Sequence, residues 1–289
     1  MIVCFVNDAF IKKGGRLQEK IIRLIKLFIS VVYFAVDRIL NIVFKILGVK
    51  KEKSCTVLVY HSIMAEERLS FARQMDALVK IATPIDLSKP GEDVNAQGTL
   101  VLVTFDDGFR SFRENALPEL TKRKIPVVLF VPSRCLGERP RFITNYSTKG
   151  KEIVMSSEEL VKLPHELVTI GSHCQKHPHL TILDENSATE ELAGSRKDLE
   201  TMLGRPIAFL AFPYGEYNDQ ILEWSWQSGY QRVFSTLPDR NKKDDFLWGR
   251  IGTSGSDFLM EFQLKVVGAY RWLPWMVMLK QKLKSFLSL

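Results

Sequence analysis

The chain is short of several features that usually announce a protein's chemistry. It has only four cysteines in 289 residues, at positions 4, 55, 135 and 174, far apart and with no CxxC pair. That excludes a disulfide scaffold and fits the reducing, cytosolic side of a cell. No glycine-rich loop of the dinucleotide-binding or P-loop kind occurs. No internal repeat or low-complexity tract breaks the chain, and none of its five histidines comes after His179. A long uncharged apolar run is also missing. Within the apolar stretch Ile21–Val49 the longest such run, Leu27–Val36, is ten residues, about half of the roughly 20 that a spanning helix needs.

What is present suits a folded protein of one large or two small domains, with 46% hydrophobic and 25% charged residues. The net charge of +7 is unevenly spread. Residues 1–53 carry 11 Lys/Arg against 4 Asp/Glu, residues 258–289 carry 5 against 1, and residues 54–257 carry 24 against 28. The basic character therefore belongs to the ends, and a slightly acidic middle excludes a nucleic-acid-binding core. We divide the chain accordingly into a basic amphipathic helical segment (1–53), a central catalytic-type domain (54–257) and a basic, aromatic, amphipathic C-terminal helix (258–289).

The first segment reads as one or two helices lying in a membrane interface, because Arg23, Lys26, Asp37, Arg38 and Lys45 can gather partly on one side and leave a broad apolar face. An ordinary buried helix and an exported chain with this segment as signal or anchor are the alternatives. The C-terminal segment combines Tyr270, Trp272 and Trp275 with Lys280, Lys282 and Lys284, a mixture suited to headgroup-level anchoring or to packing on the first segment.

The middle alternates short apolar runs with helical patterns. The runs are residues 56–60, 99–105, 126–131, 167–170, 206–212 and 231–235, with a weaker one near 249–253. Helical spacing occupies 71–80, 111–123, 156–163 and 188–203, and Ser156 is placed to cap a helix whose first turn is acidic. Such alternation implies a mostly parallel sheet, and about seven strands in some 200 residues favour a small β/α barrel over an open sheet.

In these folds chemistry gathers where strands end. Here TVLVY ends at His61, TLVLVTF runs into Asp106-Asp107-Gly108, LVTI runs into GSHCQKHPH, and PIAFLAF runs into Pro213-Tyr214-Gly215. His173 and His177, four apart, would sit on one side of a helical turn and chelate one ion, with a carboxylate from another strand end completing the set. Imidazole plus carboxylate favours Zn2+, with iron, cobalt or manganese as alternatives. If one of the two aspartates binds metal, its neighbour is left to accept a proton from water. A backbone N–H of the Pro-Tyr-Gly turn can serve a developing oxyanion, and His61 can protonate a leaving group. Taken singly, each has a plainer reading: an Asp-Gly turn, a packing pair of histidines, a half-exposed histidine.

TFDDG (104–108), GSHCQKHPHL (171–180) and AFPYGEYN (211–218) together resemble, in order and spacing, the successive motifs of the polysaccharide deacetylase (NodB-homology, carbohydrate esterase family 4) proteins. The resemblance covers about residues 55–255. It implies a distorted (β/α)7 barrel flanked by amphipathic helical segments, and metal-dependent removal of an N-acyl group from an amino sugar in a polysaccharide or lipid-linked glycan. By that resemblance Asp106 is the general base, Asp107, His173 and His177 hold the metal, and the Tyr214 backbone belongs to the oxyanion hole.

Three positions depart from the pattern: Cys174 stands where Ser or Thr is usual, Ala211 stands where many members have Arg, and the late general-acid histidine is missing. VLVYHSI (57–63) resembles the opening motif of the poly-N-acetylglucosamine deacetylase branch, whose barrel is circularly permuted, which makes His61 the acid. Arg250 is the candidate to orient Asp106 in place of an arginine at 211. His179 is left a supporting or substrate role and His165 none. Trp248 is left between stacking on sugar and filling the core. The expected location is the cytoplasmic face of a bacterial inner membrane, with an N-acetylated glycan and a membrane surface as partners and no nucleic acid; the sequence points to no protein partner. The competing functions are a non-catalytic glycan- or membrane-binding relative and a hydrolase of another acyl group, N-formyl or O-acetyl.

Overall fold

The computed structural model describes residues 16–49, 54–89, 98–142 and 152–279. Cys4 and the lysines at 280, 282 and 284 lie outside these residues, as does most of the loop 136–151.

The apolar runs form a parallel sheet because each is apolar on both faces, and both faces are covered. β1 (Cys55–Tyr60), β3 (Leu100–Phe105) and β4 (Val127–Val131) are buried along their whole length. β5 (Val168–Ser172), β6 (Phe209–Ala211) and β7 (Arg232–Phe234) continue the sheet. The weak final run is two fragments, β8 (Leu247–Trp248) and β9 (Ile251–Gly252), and a two-residue β2 (Thr83–Pro84) flanks β3. The hydrogen-bonded order is β8-β7-β6-β5-β4-β3-β1-β9. Its two ends are thus separated by only Gly249 and Arg250, and the sheet curls round on itself as the (β/α) barrel reading requires.

The two faces carry different cores. Toward the helices lie Leu58, Tyr60, Val101, Val103, Phe105, Val127 and Leu129, packed with Phe71, Met75, Leu120, Leu192, Leu199 and Phe262. The other face holds a smaller, helix-free core of Val57, Leu102, Val128, Phe130, Phe209, Ala211, Phe234 and Trp248. Side chains alternate along a strand, so this inner column runs Leu100, Leu102, Thr104 and then Asp106 beyond β3. By the same period His173 follows Gly171, and Arg250 follows Trp248. The site therefore grows out of the inner core by continuing its register.

The helical patterns are realised at α2 (Arg68–Ile81), at Phe112–Ala116 continuing into α3 (Leu117–Lys122), at α4 (Ser157–Val161), and at α5 (Glu185–Thr189) running through Glu190–Gly194 into α6 (Ser195–Leu203). Ser156 caps its helix as a reciprocal box with Glu159. A further helix, α7 (Asp219–Gln227), is capped by the Asn218 side chain.

Helix α1 spans Arg16–Ile46 without a break. Where the sequence reads as one C-terminal helix, the structure has two pieces. α8 (Leu259–Val266) stops, and helix resumes only at residues 273–279. Gly268 causes the stop: at φ 76° it donates to Lys265 O while Ala269 N–H donates to Leu264 O, a helix-ending pattern that needs a left-handed residue. α8 packs on the Arg68–Ile81 helix and β1, burying Phe262, Leu264 and Val266.

Candidate active site

Asp106 is 2% exposed and faces Arg250, itself fully buried, in a two-pronged ion pair of 2.6 and 2.8 Å. Arg250 is fixed from behind, donating from Nε to Ser235 O at 2.9 Å and from Nη1 to Thr104 Oγ1 at 3.3 Å. Burial by itself would raise the Asp106 pKa, but the Arg250 charge, helped by His173 and His61, holds it at about 2. Asp106 is thus a carboxylate across the whole neutral range. The arginine missing at position 211 is replaced in space from the segment that joins β8 to β9, as Arg250 was expected to do.

Asp107 turns the other way because its φ is 70°, followed by Gly108 at 64°. Its Oδ1 lies 3.6 Å from His173 Nε2 and 3.5 Å from His177 Nε2. Donor atoms of these three buried residues all fall within 4.8 Å of one another. His173 Nδ1 is 2.7 Å from Ala211 O; since a carbonyl only accepts, Nδ1 carries the proton and the Nε2 lone pair points at Asp107. Burial lowers the pKa of both imidazoles, that of His177 strongly. Two neutral imidazoles and a carboxylate fit a divalent cation of the zinc kind.

The expected helical turn carrying His173 and His177 is not formed. Residues 173–179 are a loop in which Cys174 and His177 have φ of 62° and 59°. The N–H groups of Gln175 and Lys176, which a helix would direct at carbonyls, both donate to Glu191 Oε2 at 2.8 and 3.0 Å. Ser172 and Ser195 hold Cys174 on each side, through Cys174 N–H to Ser172 Oγ and Ser195 Oγ to Cys174 O. The Cys174 thiol is buried and its pKa pushed well above the ordinary value, so it stays neutral and outside the donor cluster. Glu191 and Ser195 lie outside the motifs; only the demand that a bent loop find backbone partners would have pointed to them.

Tyr214 has φ 58° in the turn Pro213–Gly215. Asp107, Cys174, His177 and Tyr214 are four of the five non-glycine residues in the left-handed region among the described residues, a concentration of backbone strain expected at a working site. The turn is locked by Gly215, where a Cβ would approach Thr236 Oγ1 to 2.2 Å. The Tyr214 ring lies between two histidines, edge-on to His177 at 4.6 Å and stacked on His179 at 3.9 Å. His179 Nδ1 in turn meets the buried Glu216 carboxylate at 2.9 Å, and Phe142 covers His177 at 3.9 Å.

His61 is half-buried immediately beyond β1. Asp106 N–H bonds to Tyr60 O, so His61 lies beside the site, and its charge acts on Asp106 and His177. His165 is exposed, 3.7 Å from the Glu166 carboxylate, and is not part of the donor cluster. Trp248 is core: 3% exposed, with Nε1–H donating to Lys242 O.

A curled parallel sheet with a carboxylate–arginine pair and a metal-type triad at its strand ends suits hydrolysis. Residues 93–233, just under half of the chain, match the family model described as polysaccharide deacetylase. A curated relative, YxkH of Bacillus subtilis (strain 168), whose name assigns it provisionally to the polysaccharide deacetylases, is 25% identical over 225 residues, 72% of this chain and 76% of its own. Among solved structures, IcaB from Ammonifex degensii superposes with a TM-score of 0.62 at 24% identity, covering 75% of this chain and 98% of that one. The Streptococcus pyogenes deacetylase PplD, solved with acetate, gives 0.62 at 16% identity, covering 75% and 99%. The matched residues contain Asp106, Asp107, His173, His177 and Tyr214; His61, just beyond β1, and Arg250, in the link between β8 and β9, lie outside them on either side.

Proposed function

We propose that this protein hydrolyses the N-acetyl group of an amino sugar in a polysaccharide or lipid-linked glycan, using a divalent metal. The observation that carries the reading is the juxtaposition, at one barrel mouth, of a buried carboxylate held ionised by Arg250 and the triad Asp107, His173 and His177. A metal held by that triad, zinc in the first instance, supplies Lewis-acid polarisation of the acyl oxygen and of water.

The chain's own groups supply the rest. Asp106 takes the proton of the attacking water, and Arg250 keeps it ionised and aimed. The Tyr214 N–H, presented by a left-handed turn, serves the oxygen that gains charge as the new C–O bond forms. His61 gives a proton to the nitrogen as the C–N bond breaks, so that acetate and a free amine leave. Glu216 holds His179 against the Tyr214 ring and so steadies the turn. A location at the cytoplasmic face of a membrane belongs to the same reading, supported by the free thiols of Cys135 and Cys174 and by the long apolar helix Lys20–Ile46.

The test is zinc-stimulated acetate release from free and lipid-linked N-acetylhexosamines, with His173→Ala as the blank. Release by the wild type alone supports the reading; formate or O-acetyl release without N-acetyl cleavage would redirect it to another acyl group.

A further inference from the structure

α1 is mounted inside out. Its polar residues face the protein: Arg23 reaches Glu261 at 2.6 Å and Asp257 at 3.5 Å, fully buried Ser30 accepts from Trp272 Nε1 at 2.9 Å, and Asp37 meets Arg240 at 3.2 Å. Lys26 also lies on this side, its pKa lowered by burial and by Lys265. Among the described residues of α1, Leu27 and Phe34 add apolar packing against the domain core.

The opposite face is the apolar one. Ile21, Leu24, Phe28, Val32 and Val36 follow one another along it, each more than 40% exposed. More than half of the exposed large apolar side chains among the described residues lie between Ile21 and Val49. A soluble domain's helix is oriented the other way.

We infer that this face seats on the surface of an anionic lipid bilayer, with α1 lying in the membrane plane and still clamped to the domain. Charge selects this occupant. Among the described side chains of α1 the exposed charges, Lys20, Arg38 and Lys45, are all basic. A second copy of the chain would set these cations against each other, whereas lipid phosphates neutralise them. The clamp selects the in-plane orientation. Arg23 and Asp37 are 14 residues apart, about 21 Å along a helix, so a spanning α1 would carry both, stripped of their partners, into a hydrocarbon layer about 30 Å thick.

The test uses the full-length protein and vesicles of phosphatidylcholine with about a quarter phosphatidylglycerol, and needs no turnover, so it stands or falls apart from the deacetylase reading. The protein is expected to float with the vesicles. Val32→Glu and Phe28→Glu, on the exposed face, are expected to reduce flotation at least about tenfold with an unchanged melting temperature. A membrane-impermeant amine reagent added outside should then modify both Lys20 and Lys45, read by peptide mass spectrometry. Protection of one lysine would mean that α1 spans, and would overturn the inference. So would failure to float, or a concentration-dependent dimer dispersed by Val32→Glu in the absence of lipid.

Discussion

Two regions of this protein bury charge, and they do so to different ends. At the barrel mouth Asp106 and Arg250 are 3% and 0% exposed at the side chain and meet in a two-pronged pair. At the seam between α1 and α8, Asp257, Glu261 and Lys265 are each 8% exposed, but Arg23, which completes the cluster from α1, is 34% exposed. The first arrangement is sealed and holds one reacting group in one charge state and direction. The second is half open to water and joins one element to another. Identical chemistry, guanidinium on carboxylate, thus fixes a site where solvent is excluded and only docks a helix where it is not.

The comparison is broken most severely at Asp106. Asp106→Asn keeps the volume and removes the base, so acetate release should fall by about 10²- to 10⁴-fold while zinc stoichiometry, read by elemental analysis, stays at the wild-type level. Arg250→Met comes next. It leaves Asp106 buried without its cation and should destabilise by about 3–5 kcal/mol in urea unfolding; an equal midpoint in the variant would show the pair to be energetically idle.

Acid sharpens the same contrast. Asp106 is held at about 2 against an ordinary 3.8, so its folded pKa is depressed. The stability it contributes is present above about pH 4 and lost as the pH falls toward 2, about 2 kcal/mol in all. In Arg250→Met the largest force opposing burial is gone and only His173 and His61 still act against it, so this acid-linked loss should shrink in the pH dependence of unfolding. The seam gives the smallest effect: Arg23→Gln should lower stability by about 1 kcal/mol, with acetate release unchanged.

The strands and the donor residues were legible because both are written locally. Seven apolar runs mark seven strand positions, and DDG, GSHCQKHPH and PYG follow three of them directly. The geometry of His173 and His177 was not legible, since a spacing of four is equally served by a helix and by the bent loop that Glu191 holds here. Arg250 could be nominated only from the empty place at Ala211, because 144 residues separate it from Asp106 and only the curl of the sheet brings them together. For α1 the apolar face could be read from hydropathy. Which face packs inward could not, because the answer lies in Asp257, Glu261 and Arg240, more than 200 positions away.

The two-residue link between β8 and β9 gives the barrel a built-in inspection. Arg250 arrives at Asp106 only when the last strand fragments have docked on both β7 and β1, the first and last neighbours in the ring. Closure of the sheet and delivery of the counterion to the base therefore depend on one and the same short segment.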